Sequence, residues 1–361
     1  MKKVLRLNRL LILILSLTLI LSGCSQAAAT TTTTAATTTV KTTSTPSSTA
    51  AMTTAATTAA AFPVTVKNGA GQDVVIKAAP KAIVCTNLWA AEMLFELVDS
   101  TRIVGLSAWN DKATMTVTAE KAKAVKARVS TQKSEGIVSL MPDLVIIDSF
   151  SDPDGALTKT LTGAGITVLA MNSPTDFTMI AGAIRTIAKA VGAGDKGDRL
   201  VNDMNQTLEK VSLAVKGVAE KDRQKTLFYE AYYDQSGTNA GMLAAYGEGS
   251  TFSSIAKAAG LINVCNAPNY SAISKEKIVG EWKPDILVVP SIVYDAKYEP
   301  QLDTGKTLIE AALKDPLLQS LPAVQSKKVV AITEAYRGST SQYMAKAVEE
   351  LARIAYPSLF P

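Results

Sequence analysis

The chain has 361 residues, enough for two medium-sized domains that each bury a core. It has no histidine, which excludes a Ser-His-Asp triad and removes the commonest ligand of bound transition metals. Four basic residues lie within the first 23 positions; without them 33 basic residues face 32 acidic ones, and the net charge falls from +5 to +1. The sequence therefore predicts no nucleic-acid partner.

Residues 1–23 have the features of a secretory signal. Basic residues precede the apolar run LLILILSLTLIL, which is short for a membrane span. Ser22 and Gly23 before Cys24 resemble a lipobox, so we expect a lipoprotein signal peptide over 1–23 and lipid on Cys24. Ordinary signal cleavage beside an incidental cysteine is the alternative. Residues 24–61 are almost entirely Thr and Ala, which predicts a disordered tether, open to O-glycosylation.

The folded part is predicted to begin at Phe62, with strands and helices that alternate along the chain. A Gly-rich turn within residues 62–76 indicates a β-hairpin. Apolar patterns then predict, in order, the strand KAIVCTN, the helix LWAAEMLFELV, the strand RIVGLSAW, the helix SEGIVSL, the strand PDLVIIDS, the helix GALTKTLTGAG and the strand ITVLAM. This alternation favours a mostly parallel sheet with helices on both faces.

A longer helix is predicted from Ser173, as its cap, and Pro174 to Val191. The run GAGDKG after it has the glycine spacing of a dinucleotide fingerprint, but it follows a helix, so we interpret it as a helix end and a new start. From Lys225 the pattern restarts with the strand KTLFYEAYY, the helix STFSSIAKAAG, the strand LINVC, the helix KEKIVGEW, the strand PDILVVPS, the helical connection LLQSLPAVQ, the strand KVVAI and the helix QYMAKAVEELARIAYP. We expect one lobe in residues 62–173, a linking helix in 174–194, and a second lobe in 195–361 that opens with a helix.

Cys85 and Cys265 each lie beside an apolar stretch. They are interpreted as small buried side chains, with a disulfide between them as the alternative.

Aromatic and polar residues gather just after predicted strands in both halves of the chain. In open α/β sheets, ligands bind outside the carboxyl ends of the strands. The candidate ligand-binding residues are Asn87, Trp89, Trp109, Asn110, Ser149, Tyr232, Tyr233, Tyr246, Tyr294, Tyr336 and Arg337. Any one of them alone is more readily explained as a packing or surface residue, but together they favour a large, planar, partly apolar ligand.

The chain resembles the lipoprotein substrate-binding components of ABC importers for iron–siderophore complexes and cobalamin. The resemblance covers nearly everything from Phe62 to the C-terminus and rests on the runs KAIVCTNLWAAEMLFEL, RIVGLSAW, EGIVSLMPDLVIIDS, GAGITVLAM and LLQSLPAVQSKKVVAI. It implies an α/β fold of the class III periplasmic-binding-protein type. In that fold a single long helix joins two parallel-sheet lobes, and the ligand cleft lies between them.

One phrase occurs twice, as EGIVSLMPDLVIIDS and as KEKIVGEWKPDILVVPS. The resemblance implies that one surface glutamate per lobe docks against arginines of a membrane permease. Glu135, seven residues before Pro142, and Glu276, eight residues before Pro284, fall at these positions. The alternative for each is a solvated glutamate at a helix start, favoured by the helix dipole.

We therefore expect a monomeric, lipid-anchored extracytoplasmic receptor, not an enzyme, that delivers a large metal chelate to an ABC importer permease. It would need no cofactor and no metal ligands of its own. A ferric siderophore is the first candidate ligand and a corrinoid the second. Arg337 would pair with an anionic complex, and Trp89, Trp109 and the tyrosines would form the walls. The alternative from another class is a cell-surface enzyme or adhesion module, and an enzyme would show paired cleft carboxylates.

Overall fold

The computed structural model describes residues 61–231, 243–295, 297 and 299–361. The strands of the N-terminal lobe are β1 Val64–Lys67, β2 Asp73–Ile76, β3 Ile83–Cys85, β4 Ile103–Ser107, β5 Ala127–Val129, β6 Leu144–Asp148 and β7 Thr167–Met171. Its helices are α1 Leu88–Leu97, α2 Ala119–Ala122, α3 Ser134–Val138 and α4 Ala156–Gly163. The predicted hairpin is confirmed, because β1 pairs antiparallel with β2.

The main sheet of this lobe is parallel, with the strand order β5-β4-β3-β6-β7. The chain moves outward from β3 through β4 to β5, and then returns to the other side of β3 for β6 and β7. β6 reads LVIID and is buried at every residue, as expected for a central parallel strand covered on both faces.

Two consecutive helices, α5 Phe177–Val191 and α6 Gly194–Val215, follow the first lobe. The predicted start of α5 at Ser173 is wrong: Asp176 is the N-cap and accepts a hydrogen bond from the backbone N–H of Met179. The Ser173 hydroxyl is instead bonded to Asp148. The predicted break between the helices is confirmed, since Gly192 ends α5 in the left-handed conformation at φ 75°.

The C-terminal lobe repeats the α/β pattern with several antiparallel additions. Its strands are β8 Lys225–Ala231, β9 Leu243–Tyr246, β10 Ile262–Asn263, β11 Tyr270–Ala272, β12 Ile286–Pro290, β13 Ile292–Tyr294, β14 Pro300–Leu302 and β15 Val329–Ile332. Its helices are α7 Thr251–Ala258, α8 Lys275–Lys277, α9 Lys306–Lys314, α10 Pro322–Gln325, α11 Glu334–Arg337 and α12 Met344–Ala355. The strand order is β11-β9-β8-β12-β15, with β10 paired to β8.

The parallel strands β8, β12 and β15 were predicted, whereas β9, β11 and the β13–β14 hairpin were not. These additions are three or four residues long and pair antiparallel. Segments this short have too few residues for an alternating pattern to stand out in the sequence.

The largest hydrophobic cluster among the described residues runs through both lobes. It includes Ile83 of β3, Leu94 of α1, Ile184 of α5, Phe228 of β8 and Leu351 of α12. Helices α5, α6 and α12 therefore belong to a core shared by the two lobes, and do not form a loose tether between them.

The repeated phrase has a structural role that is the same in both lobes. Asp143 accepts hydrogen bonds from the backbone N–H groups of Lys81 and Ala82, just before β3, at 2.7 and 3.1 Å. Asp285 accepts one from the N–H of Lys225, at the start of β8, at 2.8 Å. Each Pro-Asp pair thus fixes the beginning of the strand beside it.

The second copy of the phrase is one residue longer, and the structure shows where that residue goes. Residues Ile278–Trp282 form a π-helical turn, closed by a hydrogen bond from the N–H of Lys283 to the carbonyl of Ile278 at 2.8 Å. A π turn holds one more residue than an α turn, so the insertion leaves the Pro-Asp geometry unchanged.

Candidate functional site

The N-terminal sheet reverses its strand order beside β3, whose neighbours are β4 and β6. All three strands are parallel, so their carboxyl ends meet at one edge of the sheet. Ligands of open α/β sheets bind in the crevice outside such a reversal. Neighbouring strands lie about 4.8 Å apart, so the ends of β4 and β6 are roughly 10 Å apart.

β4 and β6 end in the same way. The last residue of each strand, Ser107 or Asp148, uses its side-chain oxygen to cap a short 3₁₀ turn. The Ser107 hydroxyl accepts from the backbone N–H of Trp109 at 3.3 Å, and Asp148 accepts from that of Phe150 at 2.8 Å. An aromatic residue therefore stands two positions beyond each strand, and both rings face solvent: Trp109 is 45% exposed and Phe150 is 89% exposed.

Trp89, predicted to form a wall of the site, lies in the core with 4% of its surface exposed. Its indole N–H donates to Oδ2 of Asp148 at 2.9 Å. Trp89 thus orients the carboxylate that caps the turn under Phe150. It is the second residue of α1, a helix that packs almost entirely into the lobe, so it presents no free face to a ligand.

Asn87 and Asn110 also support the backbone of this edge. Asn87 is the N-cap of α1 and accepts from the N–H of Ala90 at 2.9 Å. Asn110 is fully buried and donates to the carbonyl of Ser107 at 3.2 Å. The predicted residue Ser149 is half-buried and lines a small cavity of about 310 Å³ between its own turn and the β1–β2 hairpin.

In the C-terminal lobe, Arg337 is buried and does not offer an unmatched charge. Its guanidinium makes two hydrogen bonds to the Glu334 carboxylate and stacks on the rings of Phe228 and Tyr246, 4.6 and 4.9 Å from their centroids. Burial alone would lower the pKa of Arg337, but the adjacent Glu334 outweighs it and raises that pKa. The prediction that Arg337 meets an anionic ligand does not fit this pairing, because its charge is already matched.

The predicted tyrosines have different surroundings. Tyr246 lies between Phe228 and Tyr270, with ring centroids 5.3 and 4.7 Å away, and burial raises its pKa. Tyr294 on β13 and Tyr336 on α11 are both half-buried. Tyr232 and Tyr233 lie outside the residues that the structure describes.

The loops beyond the strand ends of the two lobes touch each other. Lys112, just after the turn that presents Trp109, forms an ion pair with Glu299, which lies between β13 and β14. Two residues on, the Thr114 hydroxyl is 3.5 Å from the carbonyl oxygen of Pro300. The loop that follows Trp109 in the N-terminal lobe is therefore in direct contact with the β13–β14 hairpin of the C-terminal lobe.

The two glutamates of the repeated phrase lie on the surface. Glu135 is exposed in the first turn of α3, and Glu276 is exposed in the first turn of α8. Hydrogen bonds from its own backbone N–H and from the Ser274 hydroxyl lower the pKa of Glu276. Both positions suit a contact with a basic partner.

Within the described ranges, no group of three or more His, Cys, Asp or Glu side chains comes together in a way that could hold a metal ion. Nor does any helix in those ranges have the length and apolar character needed to cross a membrane.

The predicted ligand-binding residues included neither Phe150, although it follows a predicted strand, nor Glu92. The signal for Phe150 was its position, two residues after a strand, as for Trp109. The signal for Glu92 was a carboxylate within the apolar helix LWAAEMLFEL, where every side chain from Trp89 to Phe95 is buried.

Comparison with known proteins gives a consistent result. A family described as periplasmic binding protein matches residues 83–336. The uncharacterized ABC transporter substrate-binding lipoprotein YvrC of Bacillus subtilis (strain 168) is 28% identical over 307 residues, which cover 83% of this chain and 87% of that protein. A cobalamin-binding protein of Halobacterium salinarum (strain ATCC 29341 / DSM 671 / R1) is 26% identical over 304 residues, which cover 82% of this chain and 74% of that protein.

Among solved structures, the periplasmic haem-binding protein RhuT of Roseiflexus sp. RS-1, in its apo form, superimposes with a TM-score of 0.62. The alignment covers 77% of this chain and 99% of that chain, at 21% sequence identity. At this identity the likeness establishes the two-lobed fold.

Proposed function

Because this chain belongs to the periplasmic binding protein family, we propose that it is the substrate-binding component of an ABC importer and that its ligand is a metal chelate. The protein would hold the outer surface of the chelate, and the metal would keep its own ligands. Cys24 would anchor the protein to the membrane through lipid, and residues 24–61 would tether it on the extracytoplasmic side.

The observation that supports this ligand class best is the pair of exposed rings at the reversal of the N-terminal sheet. Trp109 and Phe150 extend from strands roughly 10 Å apart, a span that suits the face of a macrocycle or of a compact chelate. Covering one such side chain fully contributes about 1.5–3 kcal/mol. Two rings presented by capped turns therefore form a preorganised apolar platform.

We favour a corrinoid over a ferric siderophore, which reverses the order that the sequence suggested. A relative that spans 82% of this chain is named a cobalamin-binding protein. In addition, the buried Arg337 is already paired with Glu334, so the site offers less to a highly anionic chelate than the sequence implied. A ferric siderophore remains the competing outcome of the test.

The test is a titration of the purified protein with a panel of corrinoids and ferric siderophores. Trp109 should report binding through its fluorescence, because Trp89 and Trp282 are each only 4% exposed. We expect saturable quenching and a raised unfolding temperature with one ligand class. Trp109→Phe should lose most of the quenching but keep the thermal shift. Folded protein that binds no member of the panel would contradict the proposal.

A further inference from the structure

A buried carboxylate links the two lobes away from the exposed rings. Glu92 of α1 is 0% exposed. Its Oε1 accepts hydrogen bonds from the Thr116 hydroxyl at 2.5 Å and from the backbone N–H of Val117 at 3.2 Å. Its Oε2 accepts from the hydroxyls of Ser339 and Ser341, which lie 247 and 249 residues further along the chain. One oxygen is thus held by the N-terminal lobe and the other by the C-terminal lobe.

Neighbouring contacts extend this link along α1. The side-chain amide of Gln342 donates to the backbone carbonyl of Glu92 at 3.2 Å. One helical turn later, the Tyr343 hydroxyl donates to Oε1 of Glu96 at 2.8 Å. The segment between α11 and α12 is therefore fastened to the same face of α1 at successive positions.

The chemistry makes Glu92 the centre of this contact. Burial raises the pKa of its carboxyl group, and the four hydrogen bonds oppose that rise. Among the described residues it forms no salt bridge, so dipoles from both lobes supply its stabilisation. If the lobes separated here, Oε2 would lose both donors at once, and a desolvated carboxylate without donors is strongly unfavourable.

The surroundings exclude a catalytic role for this carboxylate. Thr116, Ser339 and Ser341 are at most 2% exposed, so a ligand in the cleft cannot reach Glu92. All four of its partners are donors, which matches the acceptor capacity of an ionised carboxylate.

We propose that Glu92 fastens the two lobes to each other through Ser339 and Ser341 and thereby fixes the width of the cleft before any ligand binds. The segment that Glu92 binds begins two residues after Arg337, so these hydrogen bonds also set the position of α11 relative to the N-terminal lobe. This inference does not depend on the identity of the ligand. It predicts a single, narrow distribution of the distance between the lobes in the free protein.

The test measures the distance between the lobes in the unliganded full chain. Spin labels are placed on Lys159→Cys in α4 and Glu310→Cys in α9, both exposed, in a Cys24→Ser background. The buried thiols of Cys85 and Cys265 are checked for label uptake in the parent protein. We expect Ser339→Ala/Ser341→Ala to lengthen and broaden the distance distribution measured by double electron–electron resonance.

The matched control is Thr116→Ala, which removes a donor to the same carboxylate from within one lobe. It should lower the unfolding temperature and leave the distance distribution unchanged. If the double serine variant does not fold, Ser339→Ala alone is measured, with a smaller shift expected. An unchanged distribution in the folded serine variants, or an equal change in Thr116→Ala, would overturn the proposal.

Discussion

Burial determines the chemistry of the two cysteines in the folded lobes. Both are free thiols, which confirms the interpretation as buried side chains over the disulfide. Desolvation raises the pKa of Cys85 to about 12 and raises that of Cys265. At pH 8 about one part in ten thousand of Cys85 is therefore thiolate, the reactive form, and the Cys265 thiol is itself buried.

We therefore expect neither Cys85 nor Cys265 to react with a thiol reagent such as DTNB at pH 8 in the native protein. Both should react at once in guanidinium chloride, which serves as the control for the count of thiols. Rapid modification of Cys85 in the folded protein would contradict its burial.

At the residue scale, the sequence predicted which side chains follow a strand but not how far each side chain is buried. Trp89 and Trp109 both follow a strand, yet one lies in the core and the other is 45% exposed. The difference arises because α1 begins at Leu88 and packs inward, whereas the turn after β4 stays at the surface. Arg337 gave a clearer signal, since Glu334 three residues earlier is at the spacing of a helical ion pair.

At the scale of elements, the strongly periodic helices and the buried parallel strands could be predicted, and short segments could not. The start of α5 was misplaced because Ser-Pro is a good helix start by local propensity. Tertiary structure instead bonds Ser173 to Asp148 and leaves the cap to Asp176. From the sequence, only the glutamates of the repeated phrase were given a role. The structure shows that its Asp residues have a separate one, because they fix the starts of the neighbouring strands.

The close approach of α5 and α6 depends on Gly197. A Cβ atom at this position would lie 2.4 Å from the Cβ of Ala188, too close for the helices to keep their separation. We expect Gly197→Ala to reduce the free energy of unfolding by about 1–3 kcal/mol, measured by denaturant titration.

Gly194→Ala is the matched control, because nothing lies within 4 Å of a Cβ there. It should be neutral or stabilising by up to about 1 kcal/mol, as a helix favours alanine over glycine. Equal effects of the two substitutions would show that the packing of α5 against α6 does not make alanine unfavourable at position 197.

At the scale of the whole molecule, the continuous core and the Glu92 contact argue against free lobe movement. A receptor of this kind would present a nearly fixed surface to its permease. Glu135 and Glu276 stand exposed on that surface, one on each lobe.

We expect Glu135→Arg and Glu276→Arg to impair uptake of the ligand in cells while leaving its affinity for the purified protein unchanged. Exposed ion pairs contribute about 0–1 kcal/mol each, so the double variant should be more impaired than either single one. Glu209→Arg, an exposed reversal on α6, is the control and should transport normally. Reduced affinity in the docking variants, or normal uptake by the double variant, would exclude the docking role.

The most direct test of the account is the affinity of Trp109→Ala/Phe150→Ala for the chelate that binds the parent protein most tightly, measured by calorimetry. Covering each ring contributes about 1.5–3 kcal/mol, so the double variant should bind at least about a hundredfold more weakly. Its unfolding temperature should fall only slightly, because Phe150 is 89% exposed and Trp109 is 45% exposed. Leu213→Ala removes another exposed apolar side chain, 63% exposed on α6, and should bind like the parent. Unchanged affinity in the double variant would contradict the claim that these two rings form the ligand platform.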